Sequence, residues 1–246
     1  MGTFIISAIP TIMKEATIGY VDICVAVYLT VSAIMLYNWL KTDERIELLL
    51  LSGFFVGAAA WTKNDGFAHL TAMSIIIAIY LLIKACTGKV GAKSLLASFF
   101  GFILVAAAVS LPFKMLTAIY GIKNHMIGDS SQFFSFFSNF NRAPYILSQF
   151  VYEFFLNTSC WLYFWVFIFA ILLVNWRRAL TTELKYLLGF ICLSLAAFFG
   201  VFMITSLGDT PEHLVGNLGE LNRLLLHVAP TAGFLMLMSA FGKDNS

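Results

Sequence analysis

Leu184-Lys-Tyr-Leu-Leu-Gly-Phe-Ile-Cys-Leu-Ser-Leu-Ala-Ala-Phe-Phe-Gly-Val-Phe-Met-Ile204 carries one charge, Lys185, and is otherwise almost wholly apolar. A helix needs about 20 such residues to cross the hydrocarbon of a bilayer, and open strands cannot satisfy their backbone groups there. The stretch therefore reads as a transmembrane helix. It is typical of the chain around it. Of the 246 residues, 60% are hydrophobic and 11% charged, with a mean hydropathy of +0.88. Soluble domains have roughly 45–50% apolar and about 25% charged residues. The fold class is an all-α polytopic transmembrane bundle, forming a single membrane domain over residues 1–246 with no internal repeat or linker. A net charge of +2, with no basic run, argues against nucleic acid as a partner.

Seven spans are expected. The first is Ile18–Leu40, with Asp22 near its start. The second is Ile46–Trp61, ending at Lys63-Asn64-Asp65-Gly66. The third is Phe67–Lys84 and the fourth Ser94–Leu111, which Pro112 should kink or end. An aromatic loop, Tyr120–Arg142, follows. The fifth lies within Pro144–Val174, opening with an interfacial helix before Asn157. The sixth is Leu184–Ile204. The seventh starts at Pro211, capped by Asp209 or Thr210, and bends at Pro230. Before the first span, Met1–Met13 is apolar but too short to cross a bilayer. It lacks the charged start of a signal peptide and reads as the tail of a span whose beginning is missing.

Lys41, Arg45, Lys84, Lys89, Lys93, Arg177, Arg178, Lys185 and Lys243 fall on one side of this topology, mostly in short turns. The positive-inside rule makes that side cytoplasmic. Asp22, Lys63-Asn64-Asp65-Gly66, the aromatic loop and the start of the last helix then face outward.

His213, Asn217, Glu220, Arg223 and His227 recur at helical spacing on one side of the last span. Ionised groups inside a membrane segment are costly, and by default they mark a functional, water-filled site. Arg223 suits a bidentate clamp on an anion, oriented by Glu220; the alternative is an intrahelical pair at i,i+3. His227 is either a ligand-binding group or a core hydrogen-bonder. Lys63 is either a phosphate-binding cation or an ordinary snorkelling lysine before an Asn-Asp-Gly turn. Asp22 lines an outward cavity, caps its helix, or pairs with Lys14. The Phe-rich loop grips a polyprenyl tail or forms an interface belt. Asn157-Thr158-Ser159 matches a glycosylation sequon. Cys24, Cys86, Cys160 and Cys192 show no paired or metal-ligand spacing and read as small buried hydrophobes.

Gly19-Tyr20-Val21-Asp22, Thr62-Lys63-Asn64-Asp65-Gly66 and Arg223-Leu-Leu-Leu-His227-Val-Ala-Pro230 together resemble the GT-C glycosyltransferases of the dolichyl-phosphate-mannose–protein mannosyltransferase type, including the bacterial aminoarabinose-lipid A transferase group. The resemblance implies transfer of a sugar from a polyprenyl-phosphate donor to a glycan, lipid or protein acceptor on the outer face of the bacterial inner membrane. It implies substrate-binding positions at Lys63, Arg223, Asp22, Asp65, Glu220 and His227, with Lys63 and Arg223 on the donor phosphate. In that family the catalytic carboxylate lies in the first outward loop, which would precede Met1. The expectation is thus of no catalytic residue in this chain, which alone would be inactive without a missing N-terminal half. Where the family often has Gln, this chain has His227. A divalent metal is open. The competing classes are a transporter or flippase for a lipid-linked anion and a non-catalytic membrane subunit.

Overall fold

A computed structural model describes residues 8–42, 45–87, 92–122, 139–204 and 221–242. Among them every regular element is helical: α1 (Pro10–Ile18), α2 (Asp22–Lys41), α3 (Ile46–Thr62), α4 (Gly66–Cys86), α5 (Ala92–Ile119), α6 (Ala143–Val151), α7 (Thr158–Trp161), α8 (Phe164–Val174), α9 (Trp176–Thr181), α10 (Leu184–Ile204) and α11 (Leu221–Phe241). A 3-10 turn, Phe140–Arg142, precedes α6, and a π turn, Tyr152–Leu156, follows it. The chain is an integral membrane protein built as a helical bundle.

Five of these helices (α2, α4, α5, α10 and α11) are long and apolar enough to span. This corrects the expected seven. The other two expected spans contain the shorter apolar helices α3 and α8. α3 has 17 residues and reaches about 25 Å at 1.5 Å per residue, short of a hydrocarbon core of about 30 Å. The fifth expected span is broken by the π turn and by Leu162 and Tyr163, whose φ values of 45° and 62° are left-handed. Two more boundaries differ. Gly19 ends α1 at φ 79°, so the first span starts at Asp22 rather than Ile18. α5 runs through Pro112 to Ile119 instead of stopping at Leu111. Losing one backbone N–H is tolerable in a membrane helix when neighbouring groups adjust. The expected Pro211 start of the last helix lies outside the described residues.

α11 is the most enclosed span, with 67% of its apolar window buried, whereas α5 is the least, at 22%. α11 packs on α2 and α10, α2 on α3, and α3 on α5. Val25, Leu29, Ala33 and Leu36 of α2 are fully or almost fully buried at steps of four, four and three residues, which is one helical face. Gly53 and Gly57 let α3 press onto α5: a Cβ at either would stand 2.8 or 2.7 Å from the backbone oxygen of Phe102 or Ala106. Small residues four apart permit this approach where lipid offers no hydrophobic drive between helices. Polar stitches tie α2 to α3 and to α11. Ser32 Oγ donates to the Ser52 carbonyl at 2.8 Å, and the Thr30 and Thr231 hydroxyls meet at 3.2 Å.

The bundle has two unlike ends. One joins the start of α2, the α3–α4 turn and the start of α11. The other joins the ends of α2 and α4 to the α9–α10 turn and the end of α11, whose Ser239 and Gly242 carbonyls accept from Arg178.

Candidate functional site

Three local features assemble the first end. Gly19 terminates α1 in a left-handed conformation, with its own N–H and that of Tyr20 donating to the Glu15 carbonyl. That turn releases the chain so that α2 starts at Asp22. The α3–α4 turn closes through Gly66 N–H to the Lys63 carbonyl at 3.0 Å. Only glycine fits there, because a Cβ would lie 2.3 Å from the Ala59 carbonyl oxygen. On α11, Arg223 and His227 are four residues apart and share a face.

All three features meet at Asp22. Its carboxylate is wholly buried, and each oxygen takes two donors. Oδ2 accepts from Arg223 Nε at 3.1 Å and Nη2 at 2.7 Å. Oδ1 accepts from Lys63 Nζ at 2.8 Å and His227 Nε2 at 2.9 Å. Asp22 thus neither caps its helix through its side chain nor pairs with Lys14. It lies beneath the two cations. These reach toward the open side, with side-chain exposures of 28% for Lys63 and 23% for Arg223.

The open side is lined with further polar groups. Lys63 also pairs with Asp65 Oδ2 at 2.9 Å. Burial works against the Lys63 ammonium, but Asp65 and then Asp22 outweigh it and hold its pKa above the ordinary value. The Arg223 guanidinium stands 4.4 Å over the Tyr20 ring. Lys114 Nζ donates to Asn64 Oδ1 at 3.1 Å and lies 4.2 Å over the Phe67 ring.

Toward the core the cluster continues as a hydrogen-bonded chain. His227 Nδ1 lies 3.4 Å from His69 Nε2, and His69 Nδ1 lies 3.0 Å from Ser194 Oγ. All four side chains are fully buried. The Asp22 carboxylate can only accept, which fixes the proton order. His227 donates from Nε2, so in the neutral ring its Nδ1 accepts from His69 Nε2–H. His69 Nδ1 in turn accepts the Ser194 hydroxyl proton. Every donor points toward Asp22. Phe198 walls the chain, with its ring 5.2 Å from His69 and 6.2 Å from His227.

Of the residues singled out in the sequence, Asp22, Lys63, Asp65, Arg223 and His227 therefore share one cluster. Glu220, His213, Asn217 and most of the Phe-rich loop lie outside the described residues. Sequence reading missed His69, Ser194 and Glu15. His69 carried a usable signal, since an ionisable residue within an apolar span is unusual. Glu15 is 2% exposed, its Oε2 has no hydrogen-bond partner, and that oxygen lies 3.9 Å from Arg223 Nε. Among the described residues, no group of three or more His, Cys, Asp or Glu side chains is placed to hold a metal ion.

No protein-family model, curated protein or solved structure matches this chain.

A second polar cluster lies behind α7. Glu153 Oε2 accepts from Trp161 Nε1 and Asn157 Nδ2, both at 3.0 Å. Burial pushes the Glu153 carboxyl above its ordinary pKa despite those two donors. The sequon residue Asn157 thus holds a carboxylate and caps α7 by accepting from the Cys160 N–H. Beside it, an apolar cavity of about 410 Å³ lies between Ile9, Trp161, Phe164 and Met236.

Proposed function

We propose that this chain carries the donor site of a membrane glycosyltransferase resembling the GT-C type. It would move a sugar from a polyprenyl phosphate to an acceptor at the outward face of a bacterial inner membrane. One observation carries this reading. The three sequence pieces that resemble the family, far apart in the chain, each contribute to the ion cluster on Asp22.

In this reading Asp22 anchors the site and does not touch substrate. Both of its oxygens are occupied, and it fixes Lys63 and Arg223 at the border between protein and headgroup. Preorganised cations at that place stabilise a departing phosphate without reorganising during reaction. The acceptor oxygen attacks the anomeric carbon, the bond from that carbon to the phosphate oxygen breaks, and the phosphate leaves with the electron pair. The acceptor proton passes to a base, a role we assign to no residue of this chain. Asp65 occupies the place on Lys63 that the donor phosphate takes. The apolar cavity at Ile9 suits the first units of the polyprenyl chain. Ile9 and Glu15 are six residues apart, which corresponds to about 9 Å along a helix.

The test is binding of a polyprenyl phosphate to the protein in lipid nanodiscs. Lys63→Ala and Arg223→Ala should each weaken binding about 10- to 100-fold, the value of a charge-assisted hydrogen bond. Unchanged binding in both variants would sink the assignment.

A second reading is a transporter or flippase for a lipid-linked anion. The buried chain Asp22–His227–His69–Ser194 favours it, because such series relay protons in membrane transporters. Vesicles loaded with the lipid-linked sugar separate the two readings: a flippase moves the lipid between leaflets, whereas a donor site alone binds it and leaves its leaflet unchanged.

A further inference from the structure

At the opposite end from Asp22, a cavity of about 340 Å³ opens between the end of α4 and the α9–α10 turn. That lies within the range of roughly 300–1,000 Å³ for small-molecule sites. Leu40, Tyr80, Thr182, Glu183, Lys185 and Tyr186 are among its lining residues. An aromatic ladder stiffens one wall: Trp39 meets Tyr80 edge to face at 5.1 Å, and Tyr80 meets Tyr186 at 5.2 Å. The proposed transferase chemistry uses none of these groups.

Three of the lining groups have unmet demands. The Glu183 carboxylate can only accept hydrogen bonds, and among the described residues nothing donates to it. The Tyr186 side chain is 8% exposed, yet no described residue accepts from its hydroxyl. Buried polar groups are normally hydrogen-bonded, so an unpartnered hydroxyl at a cavity wall points to a ligand. Lys185 Nζ lies over the Tyr186 ring at 5.2 Å and forms no ion pair with Glu183. Lys84, on the α4 wall, has partners of its own, and no role in the site is assigned to it.

These demands have opposite signs. Glu183 requires a donor, and a cationic one binds it most strongly; Lys185 and the Tyr186 O–H require an anionic acceptor. A simple anion would meet the carboxylate, and a simple cation would meet the ammonium. A zwitterion satisfies both. The three residues fall within about one helical turn at the start of α10, so a single small ligand spans them. Ile83 also lines the cavity and is 49% exposed. It carries the cavity wall onto the outer apolar surface, where acyl chains lie.

We infer that this cavity binds the headgroup of a zwitterionic phospholipid with a primary ammonium, a phosphatidylethanolamine. The ammonium donates to Glu183. The phosphodiester accepts from Lys185 Nζ and from the Tyr186 hydroxyl, and the acyl chains leave past Ile83. This site is independent of the donor site, since it uses other residues at the other end of the bundle.

Native mass spectrometry of the whole protein tests it, after release from nanodiscs holding phosphatidylethanolamine, phosphatidylcholine and phosphatidylglycerol in equal parts with the same acyl chains. Phosphatidylethanolamine should be retained over phosphatidylcholine, whose nitrogen has no proton to donate. It should also be retained over phosphatidylglycerol, which has no cation for Glu183. Glu183→Gln should weaken retention of phosphatidylethanolamine about 10-fold, the low end for a hydrogen bond to a charged group. The preference over phosphatidylglycerol should go with it. Tyr186→Phe keeps the aromatic wall, removes the hydroxyl and should weaken retention several-fold; it carries the test if Glu183→Gln fails to fold. Equal retention of the three lipids, or a preference unchanged in these variants, overturns the inference. Displacement of the lipid by millimolar phosphoethanolamine, added before release, also overturns it, since the cavity would then take the free compound.

Discussion

Arg223 and Asp22, 201 residues apart in the chain, meet with both Arg223 donors on the same carboxylate oxygen. The Nε and Nη2 hydrogens converge on Oδ2 at 3.1 and 2.7 Å instead of spreading over two oxygens as a fork. This leaves Oδ1 to Lys63 and His227. One buried carboxylate can thereby tie the start of α2, the α3–α4 turn and α11 together.

Removing that carboxylate takes from Lys63, Arg223 and His227 the buried group they share at the border of an apolar bundle. Breaking a buried ion pair by deleting one partner costs about 3–5 kcal/mol. Asp22→Ala should destabilise the protein by that order, and Asp22→Asn should be milder because an amide oxygen still accepts. Thermal unfolding in detergent or nanodiscs measures both. A melting temperature unchanged in Asp22→Ala would show that the cluster contributes little to stability.

Asp65 and Asp22 should behave oppositely toward an anionic ligand. Asp65 is 22% exposed and competes for Lys63, whereas Asp22 is fully enclosed and holds Lys63 in place. Asp65→Asn should tighten polyprenyl-phosphate binding a few-fold, because a like charge leaves the site. Asp22→Asn should weaken it. Equal effects of the same sign in the two variants would contradict the division between anchor and placeholder.

The spans were readable because lipid solvation demands long apolar runs, and composition alone reports that. The break at Leu162 and Tyr163 was not, since neither residue is a glycine and nothing in local propensity favours a left-handed backbone there. In the site, Asp22, Lys63 and Arg223 stood out by cost, as charges in apolar surroundings. His69 was harder to read. Periodicity fixes which side of its own helix a residue faces, but not which neighbour it meets, and the His69–His227 contact depends on α4 and α11 both packing against α10. The Asp22 partners illustrate the same limit, because no sequence spacing relates residues 41 or 201 positions apart.

His69 should act on Asp22 through His227. Its Nε2–H holds His227 in the tautomer that donates from Nε2. His69→Phe fills similar space and removes that donor, leaving His227 Nδ1 buried without a partner. The cost should be about 1–3 kcal/mol, that of an unsatisfied buried polar group. Nitrogen NMR of labelled histidine should show loss of the uniform Nε2–H signature at His227. A variant that keeps both its stability and that signature would show that His69 is only a packing residue.

Glu153 gives a prediction whose sign depends on pH. Burial raises its carboxyl above the ordinary 4.5, so the folded protein binds this proton more tightly than the unfolded chain does. Between pH 4.5 and the raised folded value, the folded state holds more protons, and its stability falls as pH rises. Above that window the penalty is complete, because the carboxylate is ionised in a buried place with only Trp161 and Asn157 as donors. Glu153→Gln removes the ionisation while its amide oxygen still accepts from both donors. The variant should match the native protein near pH 4 and be more stable at pH 8, by about 1.4 kcal/mol for each unit of pKa shift removed. The check is unfolding followed from pH 4 to pH 8 for both proteins. Parallel curves would mean that Glu153 titrates alike in the folded and unfolded chains, and a native protein that gains stability with pH relative to the variant would reverse the assignment.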